Sequence, residues 1–461
     1  MKIGYARNVS DRAMGLGVFF ISILGLVTFL PAFNNFFISD DFVYLRLCKS
    51  AGNDVLSILS FPPDLRRLTG HIYFFICYKL FRLNSAGYYA IMIGIHIFNS
   101  YLVYRLVARL TGERHSGLIA GLFFVVYERH QEAIMWIAAV NELFLGLSAL
   151  LCLIFLHKCL SEKKNYGKYH TLTIITFILS LFSKESSIVL FPIMLLAYFL
   201  LAASSPNKFL ESRVKLFLPL GCLWLAYLIS SYLFNAFIAD GFYAITPHFF
   251  LVYSKTVNRL LLFVYVFVGL LYFSDRSPQK DRVRALRGNR AFLFFLIWIL
   301  FTPLPYCFLT YLDHIPSRHT YLPSVGSAAL VGILMTKVYA SFSYKRLSKR
   351  IPAYIFTGVL LLNIIYVWKK DRQFVKRAEP TKLVLQILRA DASLPGSGKN
   401  VYIIGDSPMG MENTIQAAIE VFTDIKLSNI ILVKPVDERK LHAQEQDYIF
   451  GSSGYRVGKS S

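Results

Sequence analysis

Long apolar blocks are the feature that most limits what this chain can become. They lie near residues 14–33, 86–107, 143–157, 215–237, 257–273, 291–309, 321–339 and 352–368. Each is close to the roughly 17–25 residues that cross a bilayer as a helix. Hydrophobic residues make up 55% of the chain and charged ones 16%. Soluble globular chains hold about 45–50% and about 25%. The chain reads as a polytopic membrane protein.

The apolar run from Met14 to Phe33 follows a basic start, as in a signal peptide. It is longer than the roughly 7–15-residue core of such a peptide, and no small-x-small cleavage site follows, so a retained first span is expected. The net charge of +22 does not point to nucleic acid, because the cations are scattered among short loops rather than gathered on one domain. The six cysteines (Cys48, Cys77, Cys152, Cys159, Cys222 and Cys307) match no metal-ligand spacing. Four lie in or beside spans, where Cys acts as a small apolar residue, and a Cys48–Cys77 pair stays open.

Alternating sides along the chain gives a consistent orientation. One set of loops carries Lys2, Arg7 and Arg12, then Arg105, Arg109 and Arg114, then Lys158, Lys163, Lys164 and Lys168. It continues with Lys208, Arg213 and Lys215, the cluster Arg276–Arg290, and Lys345, Arg346, Lys349 and Arg350. After the first loop, the opposite set offers Arg129, Lys184, Lys255 and Arg318 almost singly. The cation-rich set is cytoplasmic by the positive-inside rule.

Residues 169–203 would make too long a single span, so they are split into two at Lys184–Glu185 on the outer side. Residues 68–83 are short and interrupted by Lys79, which suits a helix along the outer surface. The total comes to about eleven spans. Residues 1–368 form the membrane domain. Residues 369–461 mix charges with short β-like runs such as "NVYIIGD" and "NIILVKP" around a helical "MENTIQAAIEVFTDI". They are expected to form a small soluble α/β domain, outside, with only the final "GSSGYRVGKSS" unstructured. The "GDSPMG" turn lacks the spacing of a nucleotide fingerprint.

The outer side collects acids and a histidine at the membrane border. Asp40 and Asp41 follow the first span, with Arg66 and Arg67 farther along the same loop. His130, Glu132 and Glu142 sit in "YERHQEAIMWIAAVNE", Lys184–Glu185 in "SKESS", and Arg318, His319 and Tyr321 in "DHIPSRHTYLPS". One Asp suffices to cap a helix. A second, adjacent carboxylate raises at least one of the two pKa values, which suits a proton acceptor.

Several of these stretches together resemble the GT-C membrane glycosyltransferases. "SDDFVYLRL" resembles their first outer loop, where an acidic pair follows the first span, and "GYYAIMIGIHIFNSYLVYRLVARLTG" the span after it. "GLIAGLFFVVYERHQEAIMWIAAVNEL" is similar to the "HPxHxEAVAWIxxRxEL" pattern of the branch that includes the TPR-bearing O-mannosyltransferases, within the superfamily of protein O-mannosyltransferases and ArnT-like enzymes. "FILSLFSKESSIVLFPIMLL" and "SRHTYLPSVG" resemble that branch's "SKExxxxLP" and "ERYLYLPSVG" stretches. The resemblance covers residues 14–340 in the family's order. There are departures: the His-Pro is replaced, Ser317 stands for the usual acid, and no TPR array follows.

The resemblance implies a GT-C architecture. The expected reaction moves a single sugar from a polyprenyl-phosphate carrier to a hydroxyl on protein, lipid or glycan at the outer face. The leaving group is a phosphate monoester anion, which departs without a general acid. The reaction then needs a base for the acceptor hydroxyl and cations for the phosphate. Asp40 is the implied base, with Asp41 tuning it or orienting the acceptor. Arg67, Lys184 and Arg318 are implied for the phosphate, and His130, Glu132, Glu185, His319 and Tyr321 for the acceptor or sugar pocket. No cofactor is required; a divalent cation is left open. The expected place is a bacterial inner membrane, with the active site facing the periplasm. A secondary transporter and a lipid-linked glycan ligase or polymerase are the alternatives.

Overall fold

A computed structural model describes residues 11–61, 65–201, 210–233, 246–274, 289–309, 315–344, 350–390, 401–404, 412–422, 430–433, 448–451 and 454–457. The cations at 276–288, Lys208, Lys345, Arg346, Lys349 and the 405–410 turn lie outside these residues. The apolar blocks become helices. In chain order these begin with α1 (Asp11–Thr28), α2 (Asp41–Ala51), α3 (Leu68–Phe81), α4 (Ser85–Thr111), α5 (Arg114–Val126), α6 (Gln131–Met135), α7 (Val140–Ser161) and α8 (Tyr166–Leu181). There follow α9 (Leu190–Leu201), α10 (Leu210–Leu233), α11 (His248–Ser274), α12 (Arg290–Phe301), α13 (Leu304–Cys307), α14 (Ser324–Tyr344), α15 (Arg350–Ala390) and α16 (Glu412–Phe422).

Among the described residues, seven helical stretches are long and apolar enough to cross a membrane: Ser85–Thr111, Ile137–Ser161, Val214–Leu233, His248–Phe273, Arg290–Cys307, Ser324–Phe342 and Arg350–Gln386. Three shorter apolar ones are Gly15–Thr28, Arg114–Val126 and Glu185–Leu201. The protein is a helical, multi-pass membrane protein. Burial sorts its helices: the apolar window is 67% buried in Ser324–Phe342 but 17% buried in Val214–Leu233. The first is core; the second turns its apolar surface outward, as a lipid-facing helix must.

Chain contacts divide the molecule into two units. One comprises Met1–Phe29, Ile93–Ile134 and Asn141–Trp368; the other comprises Leu30–Met92, Met135–Val140 and Lys369–Ser461. In the first unit, α14 lies so close to α5 that a Cβ at Gly332 would collide with the Ser116 carbonyl oxygen. Small residues permit such approaches between membrane helices, and dispersion supplies the attraction. The helix expected to break at Lys184 does so. Between α8 and the 3₁₀ turn Glu185–Val189, Lys184 is extended (φ −162°, ψ 149°).

In the second unit the acidic loop and the short 135–140 segment group with the tail. Helix α15 runs 41 residues, to Ala390, and so passes unbroken through the division between the units at Trp368. Its extension is charged on the exposed side, while Asp371, Ala378, Thr381 and Leu385 are buried at helical spacing. Farther on, β1 (Val401–Ile404), β2 (Ile430–Val433), β3 (Tyr448–Gly451) and β4 (Gly454–Val457) form one sheet in the order β2-β1-β3-β4. Strand β1 is parallel to β2 and β3, and β3–β4 is antiparallel. Gly454–Val457 thus corrects the expectation of an unstructured end. Backbone pairing with β3 supplies the order that its composition does not signal. Cys48 and Cys77 are free thiols, so the pairing left open is not made.

Candidate active-site residues

The acidic pair belongs to the second unit. Asp40 occupies the N-cap position of α2 with φ −58° and ψ −17°, and its side chain makes no capping bond. Its carboxylate is exposed. Asp41, the next residue, is fully buried. One of its oxygens accepts the Ile38 N–H at 2.9 Å, and the other accepts the Ala138 N–H at 2.7 Å. Burial pushes the Asp41 carboxyl above the usual range; the neighbouring Asp40 adds to this, and the amide bonds oppose it. Asp41 therefore holds the turn from inside and leaves Asp40 at its surface.

That turn is strained. Ser39 has φ 48°, a left-handed conformation adopted among the described non-glycine residues only by it and Arg82. Such a residue costs about 1–3 kcal/mol and persists where its surroundings over-determine it. The Asp41 N–H reaches the Ile38 carbonyl and the Phe42 N–H reaches the Ser39 carbonyl, both at 3.1 Å. Asn35 donates to the Tyr89 hydroxyl and the Met135 carbonyl, both at 2.8 Å. Tyr89 donates to the same carbonyl at 3.0 Å. The 135–140 segment is thus stitched to the acidic loop at Met135 and Ala138. Arg67 is half-buried just before α3 in this same unit.

The remaining candidates belong to the first unit and fall into three groups. In the first, the Arg318 guanidinium pairs with Glu132. The other Glu132 oxygen accepts the Ser317 hydroxyl at 3.2 Å and the Arg318 N–H at 3.3 Å. Ser317, which stands where the resemblance leads one to expect an acid, helps to hold the partner of the adjacent arginine.

The second group centres on Glu142, whose side chain is 1% exposed. One oxygen lies 3.0 Å from the Lys184 ammonium and 2.7 Å from His319 Nδ1. The Tyr306 hydroxyl donates to the same carboxylate at 3.2 Å and takes a hydrogen bond from Ser186. The Tyr306 and His319 rings stack with centroids 4.1 Å apart. Burial and the nearby Lys184 charge lower the His319 pKa to about 4, against the pull of Glu142. His319 is therefore neutral near pH 7, with Nδ1–H donating to the carboxylate. Glu185 is half-buried in the 3₁₀ turn that follows Lys184.

The third group is internal. His130 and Tyr321, expected to line the acceptor or sugar pocket, are fully buried. His130 Nε2 meets the Ser324 hydroxyl at 2.6 Å, and that hydroxyl donates to the Tyr321 carbonyl. Burial, with His96 beside it, holds the His130 pKa well below the usual range. The Tyr321 hydroxyl meets His96 Nδ1 at 2.8 Å and accepts from Asn99 at 3.1 Å. Tyr321 also packs where a Cβ on Gly146 would sit, 2.7 Å from its Cε1. Aromatic rings, among them Phe124 and Tyr127, enclose His130.

Sequence reading placed Glu142 among the border acids without a role and passed over Tyr306 and Ser186. An acid in the first turn of an otherwise apolar 22-residue helix was the available signal for Glu142. Among the described residues no three His, Cys, Asp or Glu gather as a group that could hold a metal ion.

No family model matches the chain, and no curated protein does. Solved structures do. The oligosaccharyltransferase AglB from Archaeoglobus fulgidus, in complex with an inhibitory peptide and a dolichol-phosphate, is similar with a TM-score of 0.54 and 12% identity, over 90% of this chain and 64% of that one. ArnT from Cupriavidus metallidurans, bound to undecaprenyl phosphate, is similar with a TM-score of 0.51 and 12% identity, over 95% of this chain and 93% of that one. The fold is that of the GT-C membrane glycosyltransferases. This chain spans 64% of the length of AglB. AglB has also been solved in complex with Zn and sulfate, with a TM-score of 0.52 and 12% identity over 90% of this chain and 62% of that one.

Proposed function

We propose that this protein is a membrane glycosyltransferase that moves a single sugar from a polyprenyl-phosphate carrier to a hydroxyl acceptor on the outer face. The observation that carries the reading is a division of labour among charged residues on a GT-C fold. Asp40 is an exposed carboxylate in a strained turn, with no capping duty. Lys184 and Arg318 are cations held in place by Glu142 and Glu132. That AglB and ArnT were solved with lipid phosphates supports the donor class.

In this reading Asp40 takes the proton from the acceptor hydroxyl as the oxygen attacks the anomeric carbon. The carbon–oxygen bond to the carrier phosphate breaks, and the phosphate leaves as an anion. Lys184 and Arg318 stabilise the developing charge, having been aimed before the donor arrives. Arg67 is a further candidate for the phosphate; the planar guanidinium matches its oxygens. Asp41 sets the Asp40 backbone. Glu132, Glu185 and His319 stand beside the cations.

The reading keeps the expected count of about eleven crossings, of which the seven long apolar stretches among the described residues support seven. The cation-rich loops support an orientation with the active face, and residues 369–461, outside. A secondary transporter has less support, since the acids lie at the border and the halves do not repeat.

Purified protein supplied with a polyprenyl monophosphate sugar should transfer the sugar to its acceptor, and should do nothing with the nucleotide sugar alone. Arg318→Ala should weaken donor use, while Arg284→Ala should leave it unchanged. Direct use of a nucleotide sugar without a lipid intermediate would sink the mechanism.

A further inference from the structure

Within the second unit, α16 packs on the helix that carries the acidic pair. Phe422, at its end, lies with its ring centroid 5.4 Å from Phe36 and 6.2 Å from both Phe37 and Phe42. Those three phenylalanines bracket the strained Ser39–Asp41 turn, two before it and one after. Each is buried, Phe37 and Phe42 completely. One ring from the far end of the chain therefore touches both flanks of the turn.

Polar contacts fix the register of the same two helices. Arg46 of α2 pairs with Glu420 at 3.4 Å. Lys49 donates to the Glu420 carbonyl at 2.7 Å. That carbonyl belongs to the last turn of α16, where helical partners run out and a cation is the favoured neighbour. Inside α16, Ile415, Ala417, Ala418, Ile419 and Val421 are buried. This is a docked helix, joined to α2 by an aromatic cluster and two cations.

We propose that α16 is a clamp that positions Asp40 for catalysis, with Phe422 and Glu420 as its positioning residues. The proposal rests on the reading of Asp40 as the base. Since the Asp40 side chain makes no capping bond, its aim is set by the backbone of the turn. A left-handed Ser39 persists only while its surroundings hold it. Asp41 does so from the inner side, and Phe422 covers the phenylalanines on the other. Releasing the clamp would let the turn relax and move the carboxylate. A displacement of about 1 Å in a catalytic group can cost about 10²-fold in rate.

The test uses the full-length protein in detergent, with two readouts. Phe422→Ala should lower kcat by about tenfold to 10²-fold while KM for the lipid donor stays within about twofold. Phe422→Leu, which keeps apolar contact, should recover most of the loss. Amide hydrogen exchange of residues 36–51 should quicken in Phe422→Ala, with α5 and α14 unchanged. Arg46→Glu and Glu420→Arg should each lower kcat by about fivefold or less, as for a partly exposed pair. The double exchange should restore it, and decides the matter if Phe422→Ala does not fold.

Unchanged exchange over 36–51 overturns the clamp, and so does quickened exchange with normal kcat. These outcomes are separable from failure of the base. An inactive Asp40→Asn beside a fully active Phe422→Ala removes the clamp and keeps the base; an active Asp40→Asn removes the base itself.

Discussion

Two buried carboxylates, Asp41 and Glu142, solve the same physical problem in opposite ways. A carboxylate out of water must be neutralised, paired or hydrogen-bonded. Glu142 is met by the Lys184 ammonium, the His319 N–H and the Tyr306 hydroxyl. Asp41 is met by the N–H groups of Ile38 and Ala138. The Glu142 solution holds the Lys184 charge in place. The Asp41 solution fixes main-chain geometry, and its product is the exposed position of Asp40. One arrangement prepares an electrostatic field; the other prepares an angle.

The comparison can be broken most sharply at the residue Asp41 serves. Asp40→Asn keeps the size of the side chain but cannot accept a proton. Sugar transfer from the lipid donor should fall by about 10²–10⁴-fold with normal expression, read as initial rate on purified protein. Near-normal turnover would shift the proton to another acid and reduce the acidic turn to architecture.

Removing the cation from the other carboxylate should be the next largest effect. Lys184→Ala leaves Glu142 buried without its ammonium, and breaking a buried pair this way costs about 3–5 kcal/mol. Unfolding in detergent should show the loss. Lys184→Met combined with Glu142→Gln should recover much of it, because no charge is then stranded. If the single variant unfolds like the parent, Glu142 is not held by charge and the contrast with Asp41 disappears.

Acid should distinguish the two as well. The folded pKa of His319 is lowered to about 4 from 6.5. Its contribution to stability is therefore complete above 6.5 and is lost as pH falls through that window. At 1.36 kcal/mol for each pKa unit, the loss amounts to about 3 kcal/mol. The groups facing it are Glu142, Lys184 and Arg318. His319→Asn should flatten the acid limb of a melting curve between those pH values; an unchanged limb would place the titration elsewhere.

The smallest effect is expected at Asp41. Asp41→Asn keeps one acceptor and orphans one buried N–H, at about 1–3 kcal/mol. Faster amide exchange at Ile38 or Ala138 should accompany it. Unaltered exchange at both would mean that the two bonds do not hold the turn.

Much of this was legible in one dimension. Apolar blocks announced the spans because a bilayer leaves the backbone little choice but to satisfy its own hydrogen bonds. The break at Lys184 was visible because a polar five-residue stretch cannot extend an apolar helix. The candidate residues were harder to read, since their partners are distant in sequence. Glu132 meets Arg318 across 186 positions and Glu142 meets His319 across 177. His130 and Tyr321 carried a family-like pattern, and their burial was not legible from it.

By itself, then, the sequence determined a polytopic helical membrane chain, the position of its span blocks and the short list of polar residues worth asking about. Periodicity and hydropathy are local, and they act on every residue alike. Tertiary structure alone decided which acid is exposed and which is buried, that Lys184 and Arg318 are each held by a glutamate, and that α16 closes over the acidic turn. Adjacent Asp40 and Asp41 have the same side-chain chemistry. Only the packing around them, through Ala138, the phenylalanines and Phe422, gives them different environments and so different work.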